Sequence, residues 1–320
     1  MTALVTGVGG FIGSTLAESL VESGENVIGV DSFLDYYPRA FKERNLEVLS
    51  SSPRFELREA SLQEIELPRL LDGCDRVFHL AAQAGVRASW GAEFGIYTDN
   101  NILATQRLLE AAVGTRLSSF VFASSSSVYG DAAPLPMVED VALHPVSPYG
   151  VSKLAAEKLC ELYFVNHRVP TVSLRYFTVY GPRQRPDMAF HRLLKCALDG
   201  TRFRLFGDGR QTRDFTFIGD AVAATIAASE RGRGGAVYNI GGGSRVSMLE
   251  VIATVREVTG RELEVEMEPM QKGDMRDTYA DTSAARRDFG YEPRTSLREG
   301  LQREWDWIRR QSSSMLIFRE

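Results

Sequence analysis

The sequence predicts an α/β fold, a doubly wound parallel sheet followed by a smaller C-terminal α/β part. Short apolar runs suited to buried parallel strands recur along the first half of the chain, and helical patterns lie between them. The first apolar run leads directly into a glycine-rich turn, which is typical of this fold class. The 320 residues suit one two-part domain or two small domains.

The predicted elements alternate along the chain. Strands are predicted at 2–6, 26–30, 76–80, 120–123 and 171–174, and helices at 14–23, 99–113 and 148–165. After about Arg175 the loops lengthen and Pro, Gly and Arg accumulate. Within that part, segments near 220–229 and 236–240 could return to the main sheet, and the tail 312–320 is either packed or disordered.

The first strand ends in three glycines spaced three residues apart, Gly7, Gly10 and Gly13. Glycine at this spacing permits a tight turn, close approach of backbone to a pyrophosphate, and close helix–strand packing in a Rossmann fold. The N-terminus of the next helix adds N–H donors. Asp31 ends the second strand, where a carboxylate binds ribose hydroxyls and repels a 2′-phosphate, and residues 32–38 contain no Arg or Lys. NAD is therefore predicted over NADP, although Asp31 could instead be a turn residue.

Tyr149 and Lys153 are four residues apart, which places both side chains on one face of a helix. Pro148 fits the first turn of that helix, with Ser147 as its cap. A phenol is a poor base near neutral pH, but an ammonium group one turn away should lower its pKa. The pair predicts a proton acceptor for an alcohol; a chance pair of surface residues is the alternative.

Bulk composition favours a cytoplasmic enzyme. A formal net charge of −5 argues against non-specific nucleic-acid binding, and no apolar run could span a bilayer. The first strand follows Met1 directly, which leaves no room for a targeting segment. Cys74, Cys160 and Cys196 match no metal or disulfide spacing and are expected to be buried thiols in a reducing compartment.

Further motifs extend the pattern over nearly the whole chain. They are TGVGGFIG at 6–13, HLAA at 79–82, Asn101 before a helix, SSSSVYG at 124–130, YGVSK at 149–153, GDGRQTRDF at 207–215, YNIG at 238–241 and GDMR at 273–276. With these motifs the chain resembles the extended short-chain dehydrogenases/reductases of the NAD-dependent sugar-nucleotide epimerase/dehydratase family. The resemblance implies permanently held NAD, a UDP- or dTDP-sugar substrate, and oxidation at sugar C4. The change in loop length and composition after about Arg175 predicts an NAD-binding domain at 1–175 and a mainly substrate-binding part at 176–320, with about 214–242 returning to the Rossmann sheet.

The resemblance also assigns catalytic and cofactor-binding residues. Tyr149 would accept the proton of the C4 hydroxyl, Lys153 would bind the nicotinamide ribose, and Ser125 would hydrogen-bond the reacting oxygen. The implied NAD contacts are Gly7, Gly10, Phe11, Ile12, Gly13, Asp31, Leu80, Ala81, Ala82, Tyr149 and Lys153. Many relatives carry Asp after the third strand to bind adenine. Here Ser61 and Leu62 occupy those positions, so somewhat altered adenine binding is expected, through the backbone of Leu62.

Ser126 and Ser127 narrow the reaction class. Dehydratase relatives carry Asp and Glu at these two positions, and decarboxylating relatives carry Glu at the second. A hydroxyl is no general acid or base near neutral pH. The two serines therefore predict removal and return of hydrogen at C4, which is epimerisation.

The segments 79–87 and 175–188 resemble the UDP-glucuronic acid 4-epimerases, whereas glucose/galactose epimerases usually carry Asn in place of Thr178. Ser127, Thr178 and Arg185 are expected to meet the substrate carboxylate, because a guanidinium pairs well with it. A phosphate contact or a loop salt bridge is the alternative for Arg185. Oxidation at C4 of a glucuronate gives a β-keto acid, which loses carbon dioxide readily, so the carboxylate must be held.

At the nucleotide end, the resemblance places Arg213 and Arg276 on the diphosphate and the uridine ribose; surface ion pairs are the alternative. The backbone of Leu205 and Phe206 would meet the uracil. Arg87 and Arg183 are further candidates, and Asp281 is expected to order the C-terminal part.

Two other functions stay open. One is a UDP-glucose/UDP-galactose 4-epimerase with the same mechanism. The other is a non-catalytic NAD-binding sensor, although such proteins typically lack the Tyr/Lys pair. A homodimer through the helices at 99–113 and 148–165 is expected by resemblance.

Overall fold

The computed structural model describes residues 1–131 and 133–317. Its strands are β1 (Thr2–Thr6), β2 (Asn26–Asp31), β3 (Phe55–Glu59), β4 (Arg76–His79), β5 (Ser119–Ser125), β6 (Thr171–Tyr176), β7 (Val179–Tyr180), β8 (Phe203–Phe206), β9 (Thr212–Asp214), β10 (Thr216–Phe217), β11 (Val237–Ile240), β12 (Arg245–Ser247) and β13 (Val265–Glu268). The helices are α1 (Phe11–Glu22), α2 (Arg39–Ser50), α3 (Leu67–Leu71), α4 (Phe94–Tyr97), α5 (Ala104–Ala112), α6 (Pro148–His167), α7 (Ala189–Asp199), α8 (Ile218–Arg231), α9 (Met248–Thr259), α10 (Ser283–Phe289) and α11 (Leu297–Ile317).

Seven strands form one parallel sheet in the order β11-β6-β5-β4-β1-β2-β3, which confirms the predicted fold class. The chain builds outward from β1 to β3, and then returns to build from β4 to β6 on the other side. A crevice opens where the strand order reverses, at the carboxyl ends of β1 and β4. Smaller two-stranded sheets join β10 to β7, β12 to β9 and β13 to β8.

Apolar side chains cover both faces of the sheet. Ala17 and Leu20 of α1 belong, with Val222 and Ala228 of α8, to one buried cluster, which continues into α9 and α11. Leu108 of α5 and other side chains of α5 and α6 belong to a second cluster on the opposite face. Helices on both faces make the sheet a buried layer, which explains why its central strands are almost entirely apolar.

Several predicted boundaries move. The helix predicted at 14–23 begins at Phe11, because the glycine turn enters α1 directly through Gly10 as its N-cap. The helix predicted at 99–113 is divided: a π-helix spans Thr98–Leu103, and only Ala104–Ala112 is α-helical. The segment 220–229 belongs to helix α8, which lies against the sheet.

The structure also describes most of the C-terminal tail and all three cysteines. Helix α11 extends through most of the predicted tail, and 318–320 lie outside the described residues. Cys74 and Cys160 are buried as expected, but Cys196 is partly exposed.

Among residues 1–131 and 133–317, no helix is long and apolar enough to cross a membrane. The same ranges contain no cluster of metal-binding side chains.

Candidate active site

The glycine turn is closed too tightly for any side chain. Gly7 has φ of +72°, and a Cβ there would lie 2.8 Å from the backbone nitrogen of Ala81. A Cβ on Gly13 would lie 2.2 Å from the carbonyl oxygen of Gly7. The backbone N–H of Gly10 donates to the same carbonyl oxygen at 3.0 Å. The turn therefore leaves bare backbone and the N-terminus of α1 facing the crevice, which suits a dinucleotide pyrophosphate.

Asp31 is fixed by three donors at the end of β2. Its carboxylate accepts hydrogen bonds from the backbone N–H groups of Gly9 (3.0 Å) and Phe33 (2.8 Å) and from Lys42 Nζ (3.0 Å). The Asp31 and Lys42 side chains are only 6% and 10% exposed. Lys42 lies in α2, beyond the 32–38 window in which a cation was sought, so the sequence prediction missed it.

A cavity of about 410 Å³ lies at the crevice and gathers most of the predicted site. The predicted residues that line it are Gly7, Gly10, Phe11, Ile12, Gly13, Asp31, Leu62, Leu80, Ala81, Ala82, Ser125, Ser126, Ser127, Tyr149, Lys153, Thr178 and Arg185. Asp31 is the one carboxylate among the described residues that line the cavity. Segments far apart in sequence therefore meet in one pocket beside the glycine turn.

Helix α6 carries Tyr149 and Lys153 into this cavity. Ser147 caps the helix by accepting the N–H of Gly150 at 3.1 Å, as predicted. The Tyr149 hydroxyl hydrogen-bonds the side chain of Ser125. Lys153 is only 3% exposed, and burial lowers its pKa to about 8. A tyrosine, a serine and a lysine of reduced basicity thus stand together in one pocket.

The predicted pKa shift of Tyr149 is wrong in sign. Burial raises this pKa above its ordinary value, and the groups that oppose the rise are Ser125 and Arg185. Lys153 is not among them. The sequence showed the spacing of Tyr149 and Lys153 but not the desolvation of the phenol, which is the largest effect.

A buried polar network lies one turn further along α6. Arg175 donates to the two carboxylate oxygens of Glu157 at 2.7 and 3.1 Å, and both side chains are at most 3% exposed. Ser124 donates to Glu157 at 2.5 Å, and Arg175 also donates to the Tyr129 hydroxyl at 2.8 Å. The network joins α6 to β5 and β6, immediately before the serines that line the cavity.

Arg185 enters the cavity from the loop after β7. Its Nε and Nη2 atoms donate to the two carboxylate oxygens of Asp187 at 3.0 and 2.9 Å. The guanidinium carbon lies 5.7 Å from the centroid of the Tyr36 ring. The loop salt bridge that was the alternative for Arg185 is therefore present, yet the guanidinium also lines the cavity beside Thr178.

Two acidic residues hold the loop that carries Arg185. The backbone N–H of Gly181 donates to the buried carboxyl of Glu304 in α11 at 3.0 Å, and burial raises the pKa of Glu304 well above its ordinary value. Arg183 pairs with Glu18 of α1 at 2.9 Å and does not line the cavity. Arg183 therefore ties the loop to α1, which does not support it as a nucleotide contact.

The predicted nucleotide-end residues lie outside this cavity. Arg87 has its guanidinium carbon 4.1 Å from the centroid of the Phe206 ring and its Nη2 2.6 Å from Asp274. Arg213 donates at 2.9 Å to the carbonyl oxygens of Thr212 and Arg276.

Three other predicted residues have different surroundings. The side chain of Arg276 is 62% exposed and lies 3.8 Å from Asp208, as an exposed ion pair. Leu205 is 3% exposed in the core, and its strand β8 pairs with β13. The Asp281 carboxylate accepts the N–H of Ser283 at the start of α10, consistent with an ordering role.

The Ser61 side chain does not line the cavity. Its hydroxyl accepts the N–H of Gln63 at 3.1 Å and so stabilises the turn after β3. Leu62 and Gln63 line the cavity instead, and Gln63 was missed because the motif comparison extended only to the two preceding positions.

The π-helix and β4 supply polar residues that the site prediction left out. Asn101 Oδ1 accepts the N–H of Gln83 at 2.7 Å, and its amide nitrogen donates to the hydroxyl of Ser152 at 2.9 Å. His79 is buried between Thr6 and Thr105, and burial lowers its pKa to about 3. Asn101 occurs in a matched motif, but only its hydrogen bonds in the structure show that it joins α6 to the segment after β4.

Comparisons with known proteins agree with this geometry. The model of the NAD dependent epimerase/dehydratase family matches residues 3–241. A Bacillus subtilis (strain 168) protein named "Uncharacterized UDP-glucose epimerase YtcB" is 46% identical over 95% of this chain and 96% of its own. A UDP-glucuronate 4-epimerase of Thermodesulfobacterium geofontis is 37% identical over 95% of both chains.

A solved structure extends the similarity to three dimensions. The crystal structure of UDP-glucuronic acid 4-epimerase from Bacillus cereus, in complex with UDP-glucuronic acid and NAD, is 44% identical with a TM-score of 0.94. The match covers 97% of this chain and 100% of that one. The predicted family and its NAD dependence are confirmed. The chain belongs to the NAD dependent epimerase/dehydratase family.

Proposed function

We propose that the chain epimerises UDP-glucuronate to UDP-galacturonate at C4, with tightly bound NAD, through a transient 4-keto intermediate. The proposal rests on the observation that one cavity contains Tyr149, Lys153 and Ser125 together with Arg185. The first three supply alcohol oxidation chemistry, and the last supplies a partner for a sugar carboxylate.

In this mechanism Tyr149 accepts the C4 hydroxyl proton and later returns it. Ser125 hydrogen-bonds the Tyr149 hydroxyl and lowers its pKa, as does the charge of Arg185, so both offset the effect of burial. NAD, when bound, supplies the acceptor for the C4 hydrogen and its electron pair. Lys153 would bind the nicotinamide ribose, and its ammonium form is lost as pH rises through about 8.

The bare glycine turn and the strand-end carboxylate support the proposed NAD contacts. Pyrophosphate would meet the turn at Gly7, Gly10 and Gly13, continuing to Phe11 and Ile12. The adenosine ribose would meet Asp31 with Lys42, and the remaining contacts would come from Leu62, Leu80, Ala81 and Ala82.

The cavity favours simple return of hydrogen over elimination. Ser126 and Ser127 are hydroxyls, and Asp31, the one carboxylate among the described lining residues, is paired with Lys42. Dehydration needs an acid and a base at C5 and C6, and the hydroxyls of Ser126 and Ser127 supply neither near neutral pH. Ser127, Thr178 and Arg185 would instead bind the substrate carboxylate, which slows its loss from the β-keto acid.

Three further proposals concern the UDP contacts, the division of the chain into domains and a homodimer. Arg87, Arg213 and Arg276 would reach the UDP moiety beside Leu205 and Phe206. Residues 1–175 would bind NAD, and 176–320 would mainly bind the UDP-sugar, with about 214–242 returning to the sheet. A cytoplasmic homodimer is proposed through α5 and α6; of these two helices, α6 exposes the apolar side chains of Val151, Leu162 and Val165.

A UDP-glucose/UDP-galactose 4-epimerase is the second candidate. Asp187 already pairs with Arg185, which leaves less positive charge for a substrate carboxylate. The Bacillus subtilis relative is also named a UDP-glucose epimerase. A neutral sugar would need no guanidinium partner, so the two candidates differ in what Arg185 does.

The test offers UDP-glucuronate and UDP-glucose separately to the purified enzyme and follows each C4 epimer by chromatography. UDP-glucuronate should turn over faster, and faster turnover of UDP-glucose would exclude the proposed substrate. Tyr149→Phe should retain NAD and lose turnover by at least about 100-fold, since general acid–base catalysis contributes about 10²–10⁴-fold. An unchanged rate in that variant would refute the assigned role of Tyr149 and favour a sensor.

A further inference from the structure

We propose that Asp187 is a positioning residue that orients Arg185 toward the carboxylate of a uronate substrate. This inference rests on the proposed function, because it concerns how the cavity recognises a charged sugar. Arg185 lines the cavity, whereas Asp187 does not.

The pair has a defined geometry. Asp187 accepts from Nε at 3.0 Å and from Nη2 at 2.9 Å, so it engages one side of the planar guanidinium. Among the described residues, no side chain or carbonyl accepts a hydrogen bond from Nη1. A guanidinium held along the Nε–Nη2 side still presents its outer side, which includes Nη1, to a second carboxylate.

The surroundings hold Asp187 in place. The Tyr36 hydroxyl lies 3.5 Å from Asp187, and the Tyr36 ring lies under Arg185. The same loop is fixed at Gly181 by Glu304 and at Arg183 by Glu18. A bidentate pair within an anchored loop fixes the plane of the guanidinium before substrate arrives, which lowers the entropy cost of binding.

Orientation also protects the chemistry. In the competing reaction of the 4-keto uronate, the C5–C6 bond breaks and its electron pair moves to C5 as the enolate of the C4 ketone. Carbon dioxide leaves, and a proton from water adds at C5. Hydrogen bonds from a fixed guanidinium stabilise the negative charge on the oxygens of the C6 carboxylate. Cleavage of the C5–C6 bond, which would move that charge to the enolate, is therefore slowed.

The direct test is Asp187→Asn, which keeps the side-chain size but removes the charge and one of the two acceptor oxygens. Dissociation constants for UDP-glucuronate and UDP-glucose are measured by calorimetry on the NAD-loaded enzyme. We expect the constant for UDP-glucuronate to rise about five- to tenfold, because one long side chain must then be ordered on binding. UDP-glucose should bind as before, which also shows that the variant is folded.

Two further variants sharpen the test. Asp199→Asn removes a similarly exposed carboxylate of an ion pair, with Lys195 on α7, and should leave both constants unchanged. Arg185→Ala combined with Asp187→Asn should bind UDP-glucuronate no more weakly than Arg185→Ala alone, because Asp187 acts through Arg185. Carbon dioxide released per epimerisation should rise in the Asp187→Asn variant.

Each other outcome overturns the proposal. Tighter UDP-glucuronate binding by Asp187→Asn would make Asp187 a competitor of the substrate, and equal losses for both sugars would make it merely structural. Unchanged binding of both sugars would remove its role altogether. Failure of the parent enzyme to prefer UDP-glucuronate would instead refute the proposed function, and is seen before any variant is made.

Discussion

Replacement of Glu157 by Gln tests whether the buried network beneath the active site is a true ion pair. In the parent, the Glu157 carboxylate accepts two hydrogen bonds from Arg175 and one from Ser124, with no side chain more than a few percent exposed. Gln keeps one acceptor oxygen but replaces the other with an NH₂ group. That group would face the donors of Arg175, and the guanidinium would lose its counter-charge.

The expected loss of stability in Glu157→Gln follows from the burial of the ion pair. Removing one partner of a buried ion pair costs about 3–5 kcal/mol, because the other charge is left uncompensated. With an unfolding entropy of about 2.1 cal/mol/K per residue over 320 residues, this corresponds to a Tm lower by about 4–7 °C. In the parent, burial pulls the pKa of Arg175 down and Glu157 raises it above its ordinary value. An arginine side chain is not deprotonated in proteins, so the variant leaves a buried guanidinium without its counter-charge.

The assay is thermal unfolding of the NAD-free protein, with Glu161→Gln as the matched control on the same helix. Glu161 pairs with Lys158 at 2.6 Å, but both side chains are about half exposed. Such a surface pair contributes about 0–1 kcal/mol, so the control should lose less than about 2 °C. Glu157 also raises the pKa of Lys153 against burial, so Glu157→Gln should move the alkaline loss of activity to lower pH.

A Tm of Glu157→Gln equal to that of Glu161→Gln would refute the argument from burial. The double variant Glu157→Met/Arg175→Met provides a second check, since it removes both charges together. It should be more stable than Glu157→Gln alone, because replacing a buried pair with apolar residues is often neutral or stabilising.

Two further predictions concern the site itself. Ser125→Ala removes a hydrogen bond that lowers the pKa of Tyr149, so the acid limb of the pH–rate profile should move to higher pH; a shift to lower pH would contradict the assignment. Gly13→Ala places a Cβ 2.2 Å from the carbonyl oxygen of Gly7 and should weaken NAD binding at least about tenfold, because the turn must open by more than a typical overpacked core contact. The NAD retained by Gly13→Ala after gel filtration tests this second prediction. Full retention of NAD would show that the turn has room for a side chain at position 13.

Local patterns were enough to predict the fold, and they selected residues that the structure brings together in one cavity. The glycine spacing, the apolar strands and the Tyr149–Lys153 interval depend on short-range rules of backbone geometry, and the sheet has the predicted class. The edge strand β3 was left out of the predicted strands because four of its five residues, Glu56 to Glu59, are exposed, so it carries no buried apolar run.

Features that depend on tertiary contacts could not be predicted from the sequence. Lys42 reaches Asp31 only because α2 folds back over β2, and Asp187 pairs with Arg185 only in the conformation of its loop. The sign of the Tyr149 pKa shift depends on desolvation, which a spacing does not reveal. The segment Thr98–Leu103, where the predicted helix is divided, also contacts the neighbouring helix α6.

The hydrogen bond from Gly181 to Glu304 spans 123 positions of the chain. During synthesis, the glycine turn and the first six strands of the sheet leave the ribosome long before α11 does. Until α11 has been made, the loop that carries Arg185 lacks its bond to Glu304. The final position of a loop near the middle of the chain therefore depends on a helix near its C-terminal end.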